Sequence, residues 1–81
     1  MNTMKNVSIY STPTCGYCKA AKAYFTEHNV TFTDYNVAAD REKAQEMFQK
    51  SGQMAVPVIF VDNDMTVGFD QARLSQLLGI A

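Results

Sequence analysis

Val7-Ser8-Ile9-Tyr10-Ser11-Thr12-Pro13-Thr14-Cys15-Gly16-Tyr17-Cys18 is the stretch that decides the fold. The run Val7 to Tyr10 is rich in strand formers and too short for a helix, so it reads as a strand. Ser11 to Thr14 breaks that pattern. From Cys15 to about Asn29, the residues Cys18, Ala21, Phe25 and His28 recur at helical spacing, with Tyr17, Ala20 and Tyr24 alongside. A strand therefore runs directly into a helix that begins at one cysteine and carries a second cysteine one turn further in.

Outward from this junction, Val30 to Val37 alternates Val30, Phe32 and Asp34 against Thr31, Thr33 and Tyr35, which predicts a second strand. Asp40 serves as N-cap for a helix with Ala44, Met47 and Phe48 on one face, and Gly52 sits where a left-handed C-terminal residue is wanted. Val56 to Val61 is continuously apolar, as a strand covered on both faces is. Pro57 belongs at its very start, because proline deletes a ladder hydrogen bond, and a cis Val56–Pro57 bond is open there. Asp62-Asn63-Asp64 is a turn cluster leading to a short strand, Met65 to Val67. Asp70 caps a last helix with Leu74, Leu77 and Leu78 on one face and Gly79 behind it. The order is βαβαββα, an α/β domain. Its first strand, helix and second strand form a right-handed parallel unit, the hairpin adds antiparallel strands to the same sheet, and three helices cover the two faces.

The 81 residues amount to one small domain, with no internal repeat or linker. A domain of this size buries only about two-thirds of the surface its unfolded chain exposes, so a large enclosed cavity is not expected. Hydrophobic residues make up 47% and charged residues 19%, which excludes a disordered or collagen-like chain. With a formal net charge of −1 and no block of like charges, neither nucleic acid nor a membrane surface is expected as a partner. The longest apolar run, Val56 to Val61, falls far short of the ~20 residues that span a bilayer. MNTMKNVSIYSTPT holds no signal-peptide core, so a cytoplasmic location is expected, and the chain is expected to be a monomer.

Cys15 and Cys18 are the only cysteines, and their closeness limits what they are for. A disulfide closing so short a loop stabilises a fold by roughly 2 kcal/mol, a weak staple. Zinc needs about four ligands, and beyond the two sulfurs the sequence offers a single histidine, His28, so no metal is expected. The remaining use is thiol–disulfide chemistry. A cysteine at a helix N-terminus faces unpaired backbone N–H groups, here those of Tyr17 and Cys18, whose partial positive charge favours the thiolate. An ordinary thiol is only ~3% ionised at pH 7, so such depression raises the reactive fraction by as much as about thirtyfold. Lys19 and Lys22 share the helical side of Cys15 and add to the effect. Cys18, one turn deeper, is placed to attack a mixed disulfide formed on Cys15, which makes Cys15 the nucleophile and Cys18 the resolving thiol. Gly16 leaves the approach open, and Tyr17 offers an aromatic wall with a phenol.

Other features read as ordinary. His28 suits a helix end or a core edge rather than catalysis. Counting a calcium loop from Asp62 puts Val67 at the required glycine and Arg73 at the required glutamate, so that reading fails. The sequons at Asn6 and Asn29 are incidental without export. The methionines, Tyr10, Tyr24 and Phe25 are packing residues.

The Cys-Gly-Tyr-Cys site after Tyr10-Ser11-Thr12-Pro13-Thr14, the Ala55-Val56-Pro57 segment and the late Gly68-Phe69-Asp70 together resemble a bacterial glutaredoxin or glutaredoxin-like small redoxin, over nearly the whole chain. The resemblance implies a thioredoxin fold over a single domain, residues 1–81. It implies strand order 2-1-3-4, strands three and four antiparallel to the parallel pair, and a cis Pro57 facing Cys15. It further implies that the backbone of Val56 receives an extended peptide or glutathione as an added strand. Tyr17, Gln53, Val56, Pro57, Gly68 and Asp70 become the substrate-binding residues, with Asp70 and its helix N-terminus meeting the γ-glutamyl end. The resemblance also makes glutathione the expected co-substrate, with no tightly held cofactor expected. Several positions depart from that pattern. A lysine common three residues before the first cysteine is Thr12, the usual Thr-Val-Pro is Ala55-Val56-Pro57, and Gly-Gly-Cys-Asp is Val67-Gly68-Phe69-Asp70, which places a bulky Phe69 in the rim. Gly-Phe here is similar to small redoxins that pass electrons from thioredoxin reductase to ribonucleotide reductase. Gly16 in place of proline is shared with mycoredoxins and some cluster-binding glutaredoxins.

The leading expectation is a glutathione-linked thiol–disulfide oxidoreductase acting on protein or glutathione-mixed disulfides. Within the same fold, the alternative is a dithiol redoxin recharged by a thioredoxin-reductase-type flavoenzyme. From a different class, two chains would share a [2Fe–2S] centre through Cys15, with glutathione or Cys18 completing the ligands. An inert structural domain would leave Cys15 with an ordinary thiol pKa.

Overall fold

A computed structural model describes residues 6–53 and 56–79. Seven elements follow in the expected order: β1 (Val7–Ser11), α1 (Gly16–Glu27), β2 (Thr33–Asn36), α2 (Arg41–Ser51), β3 (Val58–Val61), β4 (Asp64–Val67) and α3 (Gln71–Leu78). The caps expected from sequence are in place. Asp40 and Asp70 accept from the N–H groups of Lys43 and Arg73, and Gly52 and Gly79 close their helices in the left-handed region at φ 73° and 71°.

The sheet order is β2-β1-β3-β4. β1 runs parallel to β2 and antiparallel to β3, and β4 is antiparallel to β3. β4 therefore points the same way as β1. This corrects the expectation that both late strands oppose the parallel pair: a two-residue turn at Asp62-Asn63 reverses the chain, so only one hairpin strand can be reversed relative to β1.

β1 and β3 lie in the middle and are covered on both faces, and their side chains alternate between two cores. Val7, Ile9, Ile59 and Val61 join Ala21, Tyr24, Phe25, Val30, Leu74 and Leu78 under α1 and α3. Tyr10 and Val58 meet Met47 under α2, with Tyr35, Phe60 and Met65 packed alongside. The Tyr10 phenol donates to Glu46 at 3.0 Å, and burial together with that carboxylate raises its pKa.

Six local expectations are corrected. Ser11 belongs to β1 and is buried rather than breaking the strand. β2 is only Thr33–Asn36 because it is an edge strand with a single partner. β3 starts at Val58, with Pro57 just outside it, and β4 starts at Asp64. The inward stripe of α1 is Cys18, Ala21, Tyr24 and Phe25, while His28 is exposed at the C-cap with its ring centroid 4.5 Å from that of Tyr24. On α2, Met47 takes the core position and Phe48, one residue or about 100° further round, is 50% exposed. Ala55, part of the Ala-Val-Pro segment, and Met54 lie outside the described residues.

Candidate active site

β1 delivers the chain to the middle of the sheet edge, and Thr12 to Thr14 turn it into α1. The turn is closed by the Cys15 N–H donating to the Thr12 carbonyl at 3.3 Å. Cys15 has extended backbone, φ −84° and ψ 115°, and is the N-cap: its sulfur stands where a serine or aspartate oxygen would, accepting from the Cys18 N–H at 3.2 Å. The Cys15 thiol also faces the Val56 carbonyl oxygen, 3.9 Å away. Both cysteines are free thiols, Cys15 partly accessible and Cys18 completely buried.

The two thiols are driven apart in acidity. Partial burial raises the Cys15 pKa, but hydrogen bonding with the Cys18 side chain, the N–H groups of Cys18 and Tyr17, and the charge of Lys22 outweigh it and hold the thiol below its ordinary value. Burial pushes Cys18 up to about 11, reinforced by its hydrogen bond and Coulomb interaction with Cys15, while a backbone hydrogen bond from Thr12 and the charge of Lys22 pull the other way. The accessible sulfur is thus the more acidic of the two, and the hidden one keeps its proton at neutral pH. Lys22 supplies the charge effect expected of the pair of lysines. Lys19 is exposed.

Opposite Cys15, the Val56–Pro57 peptide bond is cis. Pro57 is buried and Val56 half-buried. Gly68, at φ 83°, donates its N–H to the Pro57 carbonyl at 2.8 Å, so the end of β4 braces the proline segment. Asp70, two residues on, is exposed and uses one carboxylate oxygen to cap α3. Tyr17 is 70% exposed on the first turn of α1. Gln53 is exposed, and its N–H donates to the Ser51 hydroxyl at 3.1 Å. The structure thus brings Cys15, Cys18, Val56, Pro57 and Gly68 together through direct contacts, whereas Gln53 and Asp70 make only local ones. Phe69, expected to crowd the rim, leans inward against the α1/α3 core with its ring edge-on to Tyr24 at 5.8 Å.

Two pronounced concavities among the described residues lie away from the sulfurs. One of about 320 Å³ lies over Ser8, Tyr10, Lys50 and Phe60, and another of about 600 Å³ lies along Arg41, Ala44, Gln45, Phe48 and Gln49. A site that exchanges sulfurs needs open access to one of them, not an enclosed chamber.

A family model described as Glutaredoxin matches residues 7–66. The chain belongs to the glutaredoxin family. An uncharacterized glutaredoxin-like 8.6 kDa protein in a rubredoxin operon of Clostridium pasteurianum is 44% identical over 72 residues, covering 89% of this chain and 96% of that protein. Glutaredoxin 3 of Escherichia coli K12 is 39% identical over 67 residues, covering 83% and 81% of the two chains. Among solved structures, a point variant of the thioredoxin-like protein BC3987 superposes with a TM-score of 0.89 at 26% identity, covering 96% of this chain and all of that one. The four-stranded mixed sheet with three helices is the fold of that thioredoxin-like protein. Among the described residues, no helix is long and apolar enough to cross a membrane.

Two residues beside this site escaped the sequence reading. Ser11 and Asp34 join Lys22 in a hydrogen-bonded cluster on the α1 side of the sheet. The available signal was an aspartate on the otherwise apolar side of a strand, paired with a lysine four residues after Cys18 on the helix above it.

Proposed function

We propose that this glutaredoxin-family protein is a thiol–disulfide oxidoreductase in which Cys15 is the nucleophile and Cys18 the resolving thiol. The observation that carries the reading is the opposed acidity of the two sulfurs at a helix N-terminus. The Cys15 thiolate attacks one sulfur of a substrate disulfide, forming a mixed disulfide and releasing the other sulfur as a thiolate. Cys18 then gives up its proton and attacks Cys15 Sγ, closing the Cys15–Cys18 disulfide and releasing the second substrate thiol, so two electrons pass to the substrate. Two molecules of glutathione return those electrons and leave as glutathione disulfide. Val56 and Pro57 present backbone to the incoming chain, Tyr17 flanks it, and Gly68, Asp70 and Gln53 form the glutathione side. The inward lean of Phe69 turns its ring toward Tyr24 rather than into the rim, which favours glutathione as the reductant, and a glutathione-linked cycle suits a reducing, cytoplasmic setting.

A second reading, recharging by a thioredoxin-reductase-type flavoenzyme, draws on the Val67-Gly68-Phe69-Asp70 segment and Thr12. NADPH consumption with a small disulfide, coupled either to glutathione and glutathione reductase or to thioredoxin reductase alone, separates the two. Turnover with glutathione only supports the first reading, and turnover with the flavoenzyme only replaces it. Cys15→Ser must abolish turnover in both. Cys18→Ser must retain part of the glutathione-coupled rate, because glutathione can itself resolve a mixed disulfide on Cys15.

A further inference from the structure

Ser11, Asp34 and Lys22 come from β1, β2 and α1 and meet on one side of the sheet, next to the cysteine pair. The parallel register sets Ile9 opposite Asp34 and Ser11 opposite Asn36, so the buried Ser11 hydroxyl reaches diagonally across the strands and donates to one Asp34 oxygen at 2.6 Å. The other carboxylate oxygen takes Lys22 Nζ at 2.9 Å. Lys22 lies four residues beyond Cys18 and seven beyond Cys15, on the helical side that carries both sulfurs.

We propose that Ser11 and Asp34 clamp the Lys22 ammonium beside the Cys15–Cys18 pair, which makes Asp34 a positioning residue for the Cys15 thiolate. The inference rests on the thiol–disulfide reading of the site. A lysine on a helix surface samples many rotamers, and its averaged field on a given neighbour is correspondingly weak. A carboxylate held from behind by a buried hydroxyl fixes the ammonium instead. Although burial disfavours its charge, Asp34 is kept ionised by Ser11 and Lys22. Both thiols feel the ammonium in the direction of the thiolate. The titratable groups set against Lys22 are Asp34 from β2 and the two thiols of its own helix, and no other ion pair engages it among the described residues.

The clamp makes a prediction opposite in sign to that of simple charge counting. Removing an anion near Cys15 should by itself make the thiolate easier to form, whereas losing the anchor of Lys22 should make it harder. The test is the rate of iodoacetamide alkylation of Cys15 in the reduced full chain, read by mass spectrometry from about pH 5 to about pH 9 at low ionic strength. Lys22→Met and Asp34→Asn are each expected to react roughly threefold more slowly than wild type at pH 6, with the double variant no slower than either. Ser11→Ala should fall between, Lys22→Arg should stay within about twofold of wild type, and all rates should converge at high pH, where the thiol ionises regardless. Asp34→Asn reacting as fast as wild type or faster, or a double variant showing the product of the two losses, overturns the clamp. If Asp34→Asn loses its circular dichroism, Lys22→Met and Lys22→Arg decide, and Lys22→Met matching wild type overturns the clamp. The readout is thiolate formation, so a protein that shows this order of rates yet turns over no disulfide overturns the oxidoreductase reading and leaves the clamp standing.

Discussion

The Cys18 amide N–H points at the Cys15 sulfur from 3.2 Å, so the second cysteine of the pair stabilises the first through its backbone while its own side chain is sealed in the core. The arrangement separates two jobs that a pair of equivalent thiols could not divide.

It follows that the native reduced protein should alkylate at Cys15 alone. Under a limiting dose of iodoacetamide at about pH 6, mass spectrometry should find one adduct, and at least tenfold less label on Cys18 than on Cys15. In denaturant both should react. Comparable labelling of the two sites in the folded protein contradicts the arrangement.

The alkaline limb of stability carries the second prediction. Cys18 titrates near its ordinary value of 9.0 when unfolded and is raised to about 11 when folded, chiefly by burial. The contribution of its neutral form is complete below the unfolded value and is lost as pH rises from about 9 to about 11. Cys15 has the opposite sign, its folded value being the lower, and its contribution is already full by the point where the unfolded thiol ionises. Melting temperature should therefore fall across that window, and Cys18→Ala should fall less steeply than wild type. Parallel curves for the two proteins refute the assignment.

Thr66 carries the third. It is buried on β4, its Oγ1 has no hydrogen-bond partner among the described residues, and its strand partner is the fully buried Ile59. Thr66→Val keeps the branched shape and removes the stranded hydroxyl, so urea unfolding should show it about 1 kcal/mol more stable than wild type. A loss of more than about 1 kcal/mol would mean that a water satisfies the hydroxyl.

The two phenylalanines Phe25 and Phe48 give the fourth. Phe25 is completely buried and its ring lies 5.3 Å from that of Phe32. Phe25→Ala should cost about 3–5 kcal/mol, whereas Phe48→Ala on the exposed face of α2 should stay within about 0.5 kcal/mol. Equal effects in denaturant titrations would place Phe48 in the core after all.

These cases also show what the sequence could and could not carry. The strand-to-helix junction at Cys15 and the caps at Asp40, Gly52, Asp70 and Gly79 were legible because each depends on the conformation of one or two residues. Spacing alone could not separate Met47 from Phe48, since both fit a three-and-four pattern and only the orientation of α2 over Tyr10 and Val58 chooses between them. Nor could it find the Ser11–Asp34 bond, which exists only because β1 and β2 pair in one register. The short span of β2 had the same origin: an edge strand pairs on one side only, so the β-prone residues around it are not all drawn into the ladder.

The complete burial of Cys18 has a kinetic meaning in the proposed cycle. A sulfur that solvent never reaches cannot react with passing disulfides or oxidants, yet it is one helical turn from Cys15 and so faces any group attached there at an enormous local concentration. The second step is thereby restricted to molecules already captured covalently. The protein chooses its partners once, at the accessible thiol, and release of the product is governed by its own internal geometry.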